Sequence, residues 1–321
     1  MSDSSPYHVL AFYHFTPLEN PEAEMKSHKV FFKERDISSR IYISKQGING
    51  QMSASPQHAQ EYMEWLHAKP AFKDVEFKIH YHHEHVFPRK SVKHKTNLVA
   101  FDRDLNLENR GEHVTPRQWK NMLENEANKV LIDVRNDYEW KVGHFENAEL
   151  PPCETFRDFE NYTKDLKEKI DPAKTPVMMY CTGGIRCELY SSILKENGFE
   201  KVYQLHGGVI NYGLQEGTKH WKGKLFVFDD RMTVPISEEA AEVVGKCHCC
   251  MEPSESYYNC ANMDCNFLFL SCQKCLEELA GCCKHNCKEA PRVRPYHQQN
   301  PHKPFRKWYN YFDQETNPET D

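Results

Sequence analysis

The segment best equipped for chemistry is Cys181-Thr182-Gly183-Gly184-Ile185-Arg186. It follows an apolar run, Val177 to Tyr180, and opens a stretch with helical spacing. A strand–loop–helix junction can aim successive backbone N–H groups at one atom, and two glycines permit unusual dihedrals and close approach. The helix N-terminus adds partial positive charge and Arg186 adds a full one. All three favour thiolate over thiol, so the sequence predicts a depressed pKa and a nucleophilic Cys181. Such a sulfur can carry a persulfide or form an adduct with an electrophile. Cysteine-dependent phosphatases also end their loop in arginine, but with one residue more between the two; this shorter cradle suits a single sulfur better than a phosphoryl group. Cys187 stands at C-x5-C spacing from Cys181. It reads as a buried helix cysteine, with resolution of an oxidised Cys181 as the alternative. Cys153, after two prolines, reads as incidental.

Asp133 and Arg135 close the apolar run VLIDV. Strand C-termini are where α/β sheets place ligands. Asp133 is expected to orient the loop by hydrogen bonds and Arg135 to pair locally, as scaffold rather than as reactants. Glu139 and His144 are assigned to the same scaffold.

Of 13 cysteines, ten crowd between Cys247 and Cys287. Clustering in an intracellular chain argues for metal ligands more than for disulfides. Four pairs can be drawn: Cys247/Cys250, Cys260/Cys265, Cys272/Cys275 and Cys283/Cys287. Close pairs each supply one edge of a tetrahedron, which suits zinc, and eight thiolates suffice for two ions. In a cross-braced arrangement the first pair joins the third and the second joins the fourth. Cys249, Cys282, His248 and His285 are plausible substitutes, and iron–sulfur clusters or redox disulfides are the other options. The metal is expected to be structural, because a segment this poor in aliphatic side chains builds little core unaided. Phe267 to Leu270 are expected to supply the strand that docks it.

The elements that must position these residues fit three folded segments and a tail. The 321 residues carry 39% hydrophobic and 27% charged side chains, which supports folded domains and excludes wholesale disorder. No apolar run is long enough to span a bilayer. MSDSSPYHVLAFYHF lacks a basic n-region, so neither signal nor transit peptide is expected, and the chain is placed in the cytoplasm. The net charge of -6 means that nucleic-acid contact must come from local basic patches.

In residues 1–108, His8 to Phe15 reads as a strand and Asn20 to Arg35 as a helix with Phe31 and Phe32 inward. Arg40 to Ser44 and Gly50 to Ser53 form a hairpin about a turn at Gly47, Asn49 and Gly50; Gln57 to Ala68 is helical and Val75 to His80 a strand. The order β-α-β-β-α-β predicts a ferredoxin-like or acylphosphatase-like α+β domain. In residues 109–222, Thr115-Pro116-Arg117-Gln118 is a capping box. Strands at Val130, Val177 and Lys201 then alternate with helices at Arg186 and near Gly208, an α/β domain with a parallel sheet. Residues 223–295 form the cysteine module and 296–321 a basic, aromatic tail.

IDVRNDYEWKVGHFENA, CTGGIRCE and YQLHGGVINY resemble the strand, active-loop and closing motifs of the rhodanese superfamily. With GING in the first segment and the cysteine cluster behind, nearly the whole chain resembles a narrower group, the rhodanese-domain tRNA uridine(34) hydroxylases. The resemblance implies oxygen-dependent 5-hydroxylation of uridine at the tRNA wobble position, with molecular oxygen as co-substrate and no organic cofactor identified. By motif it carries the active-site cysteine to Cys181, with Gly183, Gly184 and Arg186 as its loop. Gln46 departs from the family's EGING pattern, which puts the role of that hairpin in doubt.

Two stretches could contact RNA. Arg89, Lys90, Lys93, His94 and Lys95 form one; in the tail, Arg292, Arg294, Lys303, Arg306 and Lys307 interleave with Tyr296, Phe305, Trp308, Tyr309 and Tyr311. Cations neutralise phosphates and aromatics stack on unpaired bases, and an anticodon loop offers both. With the resemblance, RNA contact is favoured over a merely solvated surface. Two alternatives stand beside the hydroxylase: a sulfurtransferase carrying a persulfide on Cys181, and a non-catalytic zinc scaffold binding RNA or protein.

Overall fold

The computed structural model describes residues 7–103 and 105–296. Its first unit runs up to Arg135 and resumes over Pro151–Glu216; the second comprises Asn136–Leu150 and the chain from Gly217 onward.

The N-terminal domain lies in the first unit. It runs β1 (Tyr7–Phe15), α1 (Pro21–Phe32), β2 (Ile37–Ser44), β3 (Gly47–Ala54), α2 (Pro56–His67), β4 (Lys78–His82) and β5 (Lys90–His94), with sheet order β4-β1-β3-β2-β5. The first four strands pair antiparallel in the split-βαβ order expected, and β5 adds parallel to β2 at the edge. Asn20 caps α1 by accepting from the Ala23 N–H, and Pro21 and Pro56 occupy first-turn positions where no N–H is needed. Leu10, Phe12, Phe32, Ile41, Ile48, Met52, Tyr62 and Leu66 form the core between sheet and helices.

The hairpin turn differs from expectation. Ser44 faces Gly47, so Lys45 and Gln46 make the turn, and Gly47 and Gly50 lie inside β3. Their glycines serve close approach. A Cβ on Gly47 (φ +131°) would sit 2.0 Å from the His14 carbonyl oxygen, and one on Gly50 would sit 2.3 Å from the Phe12 ring. The Gln46 side-chain oxygen accepts from the Leu98 N–H at 3.1 Å. The strand expected from Val75 begins three residues later, at Lys78.

The second half of this unit has a four-stranded parallel sheet in the order β6-β10-β9-β7. β6 (Glu112–Val114) leads to α3 (Pro116–Asn125), whose N-terminus carries the expected capping box of Thr115 and Gln118, and then to β7 (Val130–Asp133). The chain then leaves this unit through α4 (Asp137–Trp140) and β8 (Gly143–Phe145). It returns as α5 (Phe159–Lys169), β9 (Val177–Tyr180), α6 (Ile185–Glu196), β10 (Val202–Leu205) and α7 (Gly208–Glu216). Nine of α6's residues, Arg186 through Leu194, are buried, so this helix is packed on all sides and holds the loop before it rigidly. Gly198, at φ +88°, ends it.

Residues 136–150, with Glu139 and His144, group with the second unit. There β8 pairs with β11 (Trp221–Gly223), β12 (Leu225–Phe226) with β13 (Thr233–Val234), and β14 (Tyr257–Asn259) with β15 (Leu268–Leu270). Val142, Phe226, Met232, Tyr257 and Leu270 form its core, and α8 (Gln273–Glu278) and α9 (His285–Lys288) complete the cysteine module. Among the described residues no helix is long and apolar enough to cross a membrane.

Candidate active site and metal centres

Cys181 follows the four buried residues of β9 and is itself fully buried. The Gly184 N–H donates to its Sγ at 3.2 Å. Gly184 has φ +105°, and a Cβ there would lie 2.9 Å from the Tyr13 hydroxyl; this position requires glycine. Gly183 has open space where a Cβ would go and no positive φ, so the two loop glycines are not equivalent. The loop is also held from behind. Val209 and Ile210, at the start of α7, donate their N–H groups to the Cys181 and Thr182 carbonyls at 3.0 and 3.1 Å. Gly208 (φ +67°) lies against the same carbonyls, 2.5 Å from where its Cβ would be. Arg186 is buried and reaches Thr182 Oγ1 at 3.4 Å.

Burial by itself pushes the Cys181 thiol up. It is outweighed by a hydrogen bond from the Cys187 thiol, by the Arg186 guanidinium, and by the N–H groups of Cys187 and Arg186, so the pKa falls to about 5. Cys187 moves the other way: burial, the hydrogen bond to Cys181 and that sulfur's charge push it well above the ordinary thiol value. At neutral pH the pair is one thiolate and one thiol. The depressed pKa was expected from the loop; the part played by Cys187 was not, since a cysteine one position past an arginine looks like ordinary helix core.

The N-terminal domain supplies residues for which the sequence has no local signal. Tyr13, on β1, donates to Glu188 Oε1 at 2.8 Å. Glu188 also meets His113 Nε2 at 2.9 Å and Arg110 at 3.2 Å. Burial resists its ionisation, but His113, Arg110 and Tyr13 together hold its carboxyl below the usual value. Lys78, on β4, is 8% exposed, and its Nζ lies 5.0 Å from the centroid of the Tyr13 ring. Burial pushes it down to about 8, against the pull of Glu76, Cys181 and Glu188.

Asp133 and Arg135 are both fully buried and bind each other: Nε to Oδ1 at 2.8 Å, Nη2 to Oδ2 at 2.5 Å, and the Arg135 N–H to Oδ1 at 3.0 Å. The guanidinium lies 5.7 Å from the ring of Tyr180, next to Cys181. The bidentate pair braces the strand end beneath the loop.

Eight cysteines gather into two groups, Cys247, Cys250, Cys272, Cys275 and Cys260, Cys265, Cys283, Cys287, each with its sulfurs within 4.8 Å of one another. The first pair thus meets the third and the second meets the fourth; Cys249 and Cys282 belong to neither group. Zinc–sulfur bonds of about 2.3 Å place tetrahedral sulfurs about 3.8 Å apart. Cys250 and Cys272 stand 3.7 Å apart, Cys265 and Cys283 3.7 Å, and Cys283 and Cys287 3.9 Å. The donor sets fit a single tetrahedral ion each and leave no room for an iron–sulfur cube. A third group, His82, His83 and Glu84, consists of neighbours in one surface turn.

The first basic stretch is the edge strand β5. Arg89, Lys93 and Lys95 are exposed, and Lys95 lies 5.6 Å from the Tyr42 ring. Lys90 is otherwise engaged: its Nζ donates to the carbonyls of Phe32 and Arg35, each at 2.7 Å, at the end of α1. Arg294, read as part of the tail, is buried and reaches the Cys260 carbonyl and Asn266. Tyr296 packs on the cysteine-module core. Lys303, Phe305, Arg306, Lys307, Trp308, Tyr309 and Tyr311 lie outside the described residues.

Three family models match in succession: "UPF0176 acylphosphatase like domain" over residues 7–98, "Rhodanese-like domain" over 115–213 and "Rhodanase C-terminal" over 222–288. A relative from Protochlamydia amoebophila named tRNA uridine(34) hydroxylase is 59% identical over 312 residues, covering 97% of this chain and 98% of its own. One of the same name from Chlamydia felis is 52% identical over 305 residues, 94% of each chain. Among solved structures, a rhodanese-like domain from Anabaena sp. aligns with 35% of this chain and 78% of its own, at 21% identity and TM-score 0.30.

Proposed function

The chain belongs to the tRNA uridine(34) hydroxylase family, and from that premise we propose that it hydroxylates C5 of uridine 34, with Cys181 as the nucleophile. The observation that carries the role of Cys181 is a buried thiolate in a cradle of backbone N–H groups, beside the Arg186 guanidinium. Attack of this sulfur on uracil C6 makes C5 electron-rich and open to molecular oxygen, the proposed co-substrate. One oxygen atom goes to C5, and the other leaves as water with two electrons and two protons from an external donor. A scaffold has no need of a low-pKa thiol, which argues against a non-catalytic role.

The two four-cysteine groups are proposed as structural zinc sites, since each offers four thiolates and no open position. Zinc bound there ties segments together that have little apolar core of their own. Arg89, Lys93 and Lys95, with Arg306, Lys307 and Trp308, are the proposed contacts to the anticodon loop. A reducing cytoplasm, which keeps cysteines available as thiolates for metal, is the proposed setting.

The test is nucleoside mass spectrometry of tRNA from cells lacking the gene, complemented with wild type or Cys181→Ala. Restoration of 5-hydroxyuridine-derived nucleosides by wild type alone is expected. Full restoration by Cys181→Ala refutes the role of the thiol. The same cradle suits a persulfide, so unchanged nucleosides together with thiosulfate turnover would make this a sulfurtransferase instead.

A further inference from the structure

Lys78 is a buried cation without a counterion in bonding distance. Among the described residues no carboxylate lies within ion-pair range of its Nζ, and the nearby carboxylates are engaged: Glu188 with Tyr13, His113 and Arg110, and Glu76 with His206 at 2.8 Å. At 8% exposure the side chain does not snorkel to water. Its ammonium stands over the Tyr13 ring, whose hydroxyl abuts the turn at Gly184. The nearby anion with no other basic side chain except Arg186 is the Cys181 thiolate. Burying a lysine in such a place is costly unless its charge is used.

We propose that Lys78 is a catalytic residue contributed by the N-terminal domain, its ammonium receiving the negative charge that Cys181 passes to a uracil carbonyl oxygen. This rests on the hydroxylase reading. The sulfur's electron pair forms the S–C6 bond, and the C5–C6 π pair shifts through C4 to leave an enolate on O4. No proton and no net electron is gained or lost. The charge leaves sulfur and reappears on oxygen, and a fixed ammonium held over the Tyr13 ring, beside the loop, stabilises it. Without Lys78 the adduct's charge is left to Arg186 alone in a buried site.

The test uses the full-length protein with Lys78→Met and Lys78→Arg, each checked by thermal melting. Single-turnover hydroxylation of tRNA is followed against pH. Thiolate absorbance of Cys181 is titrated without tRNA, as a difference from Cys181→Ser. The Lys78→Met variant should lose about 100-fold or more in rate, the usual cost of removing a donor to a developing oxyanion. It should also raise the Cys181 pKa. Lys78→Arg should recover part of the rate. The wild-type rate should fall as pH rises through about 8, where the ammonium is lost, and Lys78→Arg should move that fall to higher pH, since guanidinium stays charged. The groups facing Lys78 are Tyr13 on β1, Glu76 before β4, and Cys181 and Glu188 on the thiol loop and α6; Glu188, held below the usual carboxyl value, is ionised across that range. Should Lys78→Met not fold, the displacement of that fall in Lys78→Arg decides. A Lys78→Met enzyme within about 3-fold of wild type overturns the proposal. If wild type itself makes no 5-hydroxyuridine, the hydroxylase reading has failed. In that event an unchanged Cys181 titration in Lys78→Met overturns the pairing independently.

Discussion

Replacing Cys187 with alanine should make Cys181 harder to ionise without touching the loop backbone. The Cys187 thiol is the first of the influences that hold Cys181 down against burial. A hydrogen bond to a charged group contributes about 1.5–3 kcal/mol, and one pKa unit corresponds to about 1.4 kcal/mol. Removing the donor should therefore raise the thiol from about 5 to roughly 6–7. The sign follows from the charge: the bond favours thiolate, so its loss favours thiol, and the effect appears on the acid side. Near pH 5 wild type is about half ionised while the variant falls to about a tenth or less; near pH 8 both are almost wholly thiolate. Because Cys181 is fully buried, reagent access is a poor probe. Ultraviolet thiolate absorbance, taken as the difference from a Cys181→Ser protein, needs no access and cancels the other thiols. Cys187→Ser keeps a donor and should titrate close to wild type. If Cys187→Ala titrates with wild type, the guanidinium and backbone alone set the pKa, and the reasoning is refuted.

The two loop glycines should part company: Gly184→Ala must strain a positive φ and displace Tyr13, costing about 1–3 kcal/mol and raising the Cys181 pKa. Gly183→Ala meets open space and should stay within about 0.5 kcal/mol, both read by urea unfolding. Asp133→Ala removes the carboxylate that binds the buried Arg135, so a loss of about 3–5 kcal/mol is expected, with Asp133→Ala/Arg135→Met less destabilised than the single variant. Cys275→Ala should purify with about one zinc per chain instead of two by elemental analysis; two retained would remove that residue from the ligand set.

Where the sequence was readable, the determinants were local. The Thr115 and Gln118 cap closes within one helical turn, and the thiol loop is six consecutive residues between a strand and a helix. The cysteine pairs were visible because each is three to five positions apart. What was hidden depends on chain segments far apart. Tyr13 and Glu188 are separated by 175 positions, and nothing in either neighbourhood announces the other. Gly47 and Gly50 misled for a different reason: glycine marks a turn or a crowded strand with the same letter, and only the ring of Phe12 and the carbonyl of His14 decide which. Lys90 was read as one of a basic stretch for RNA because its neighbours in sequence do not show that its ammonium goes to the carbonyls at the end of α1. The excursion of residues 136–150 into the second unit was invisible because its strand β8 finds its partner, β11, more than seventy positions later.

The order in which the cysteine pairs follow one another also determines how the module can be lost. Half of each four-sulfur group precedes Cys272 and half follows Cys265. A single nick between those two positions therefore divides both groups at once, and that short stretch contains Phe267, whose side chain is 48% exposed. A deletion or a recombination junction placed there has the same result. The two centres are inherited together, and a protease with a taste for exposed phenylalanine has one bond to cut in order to dismantle both.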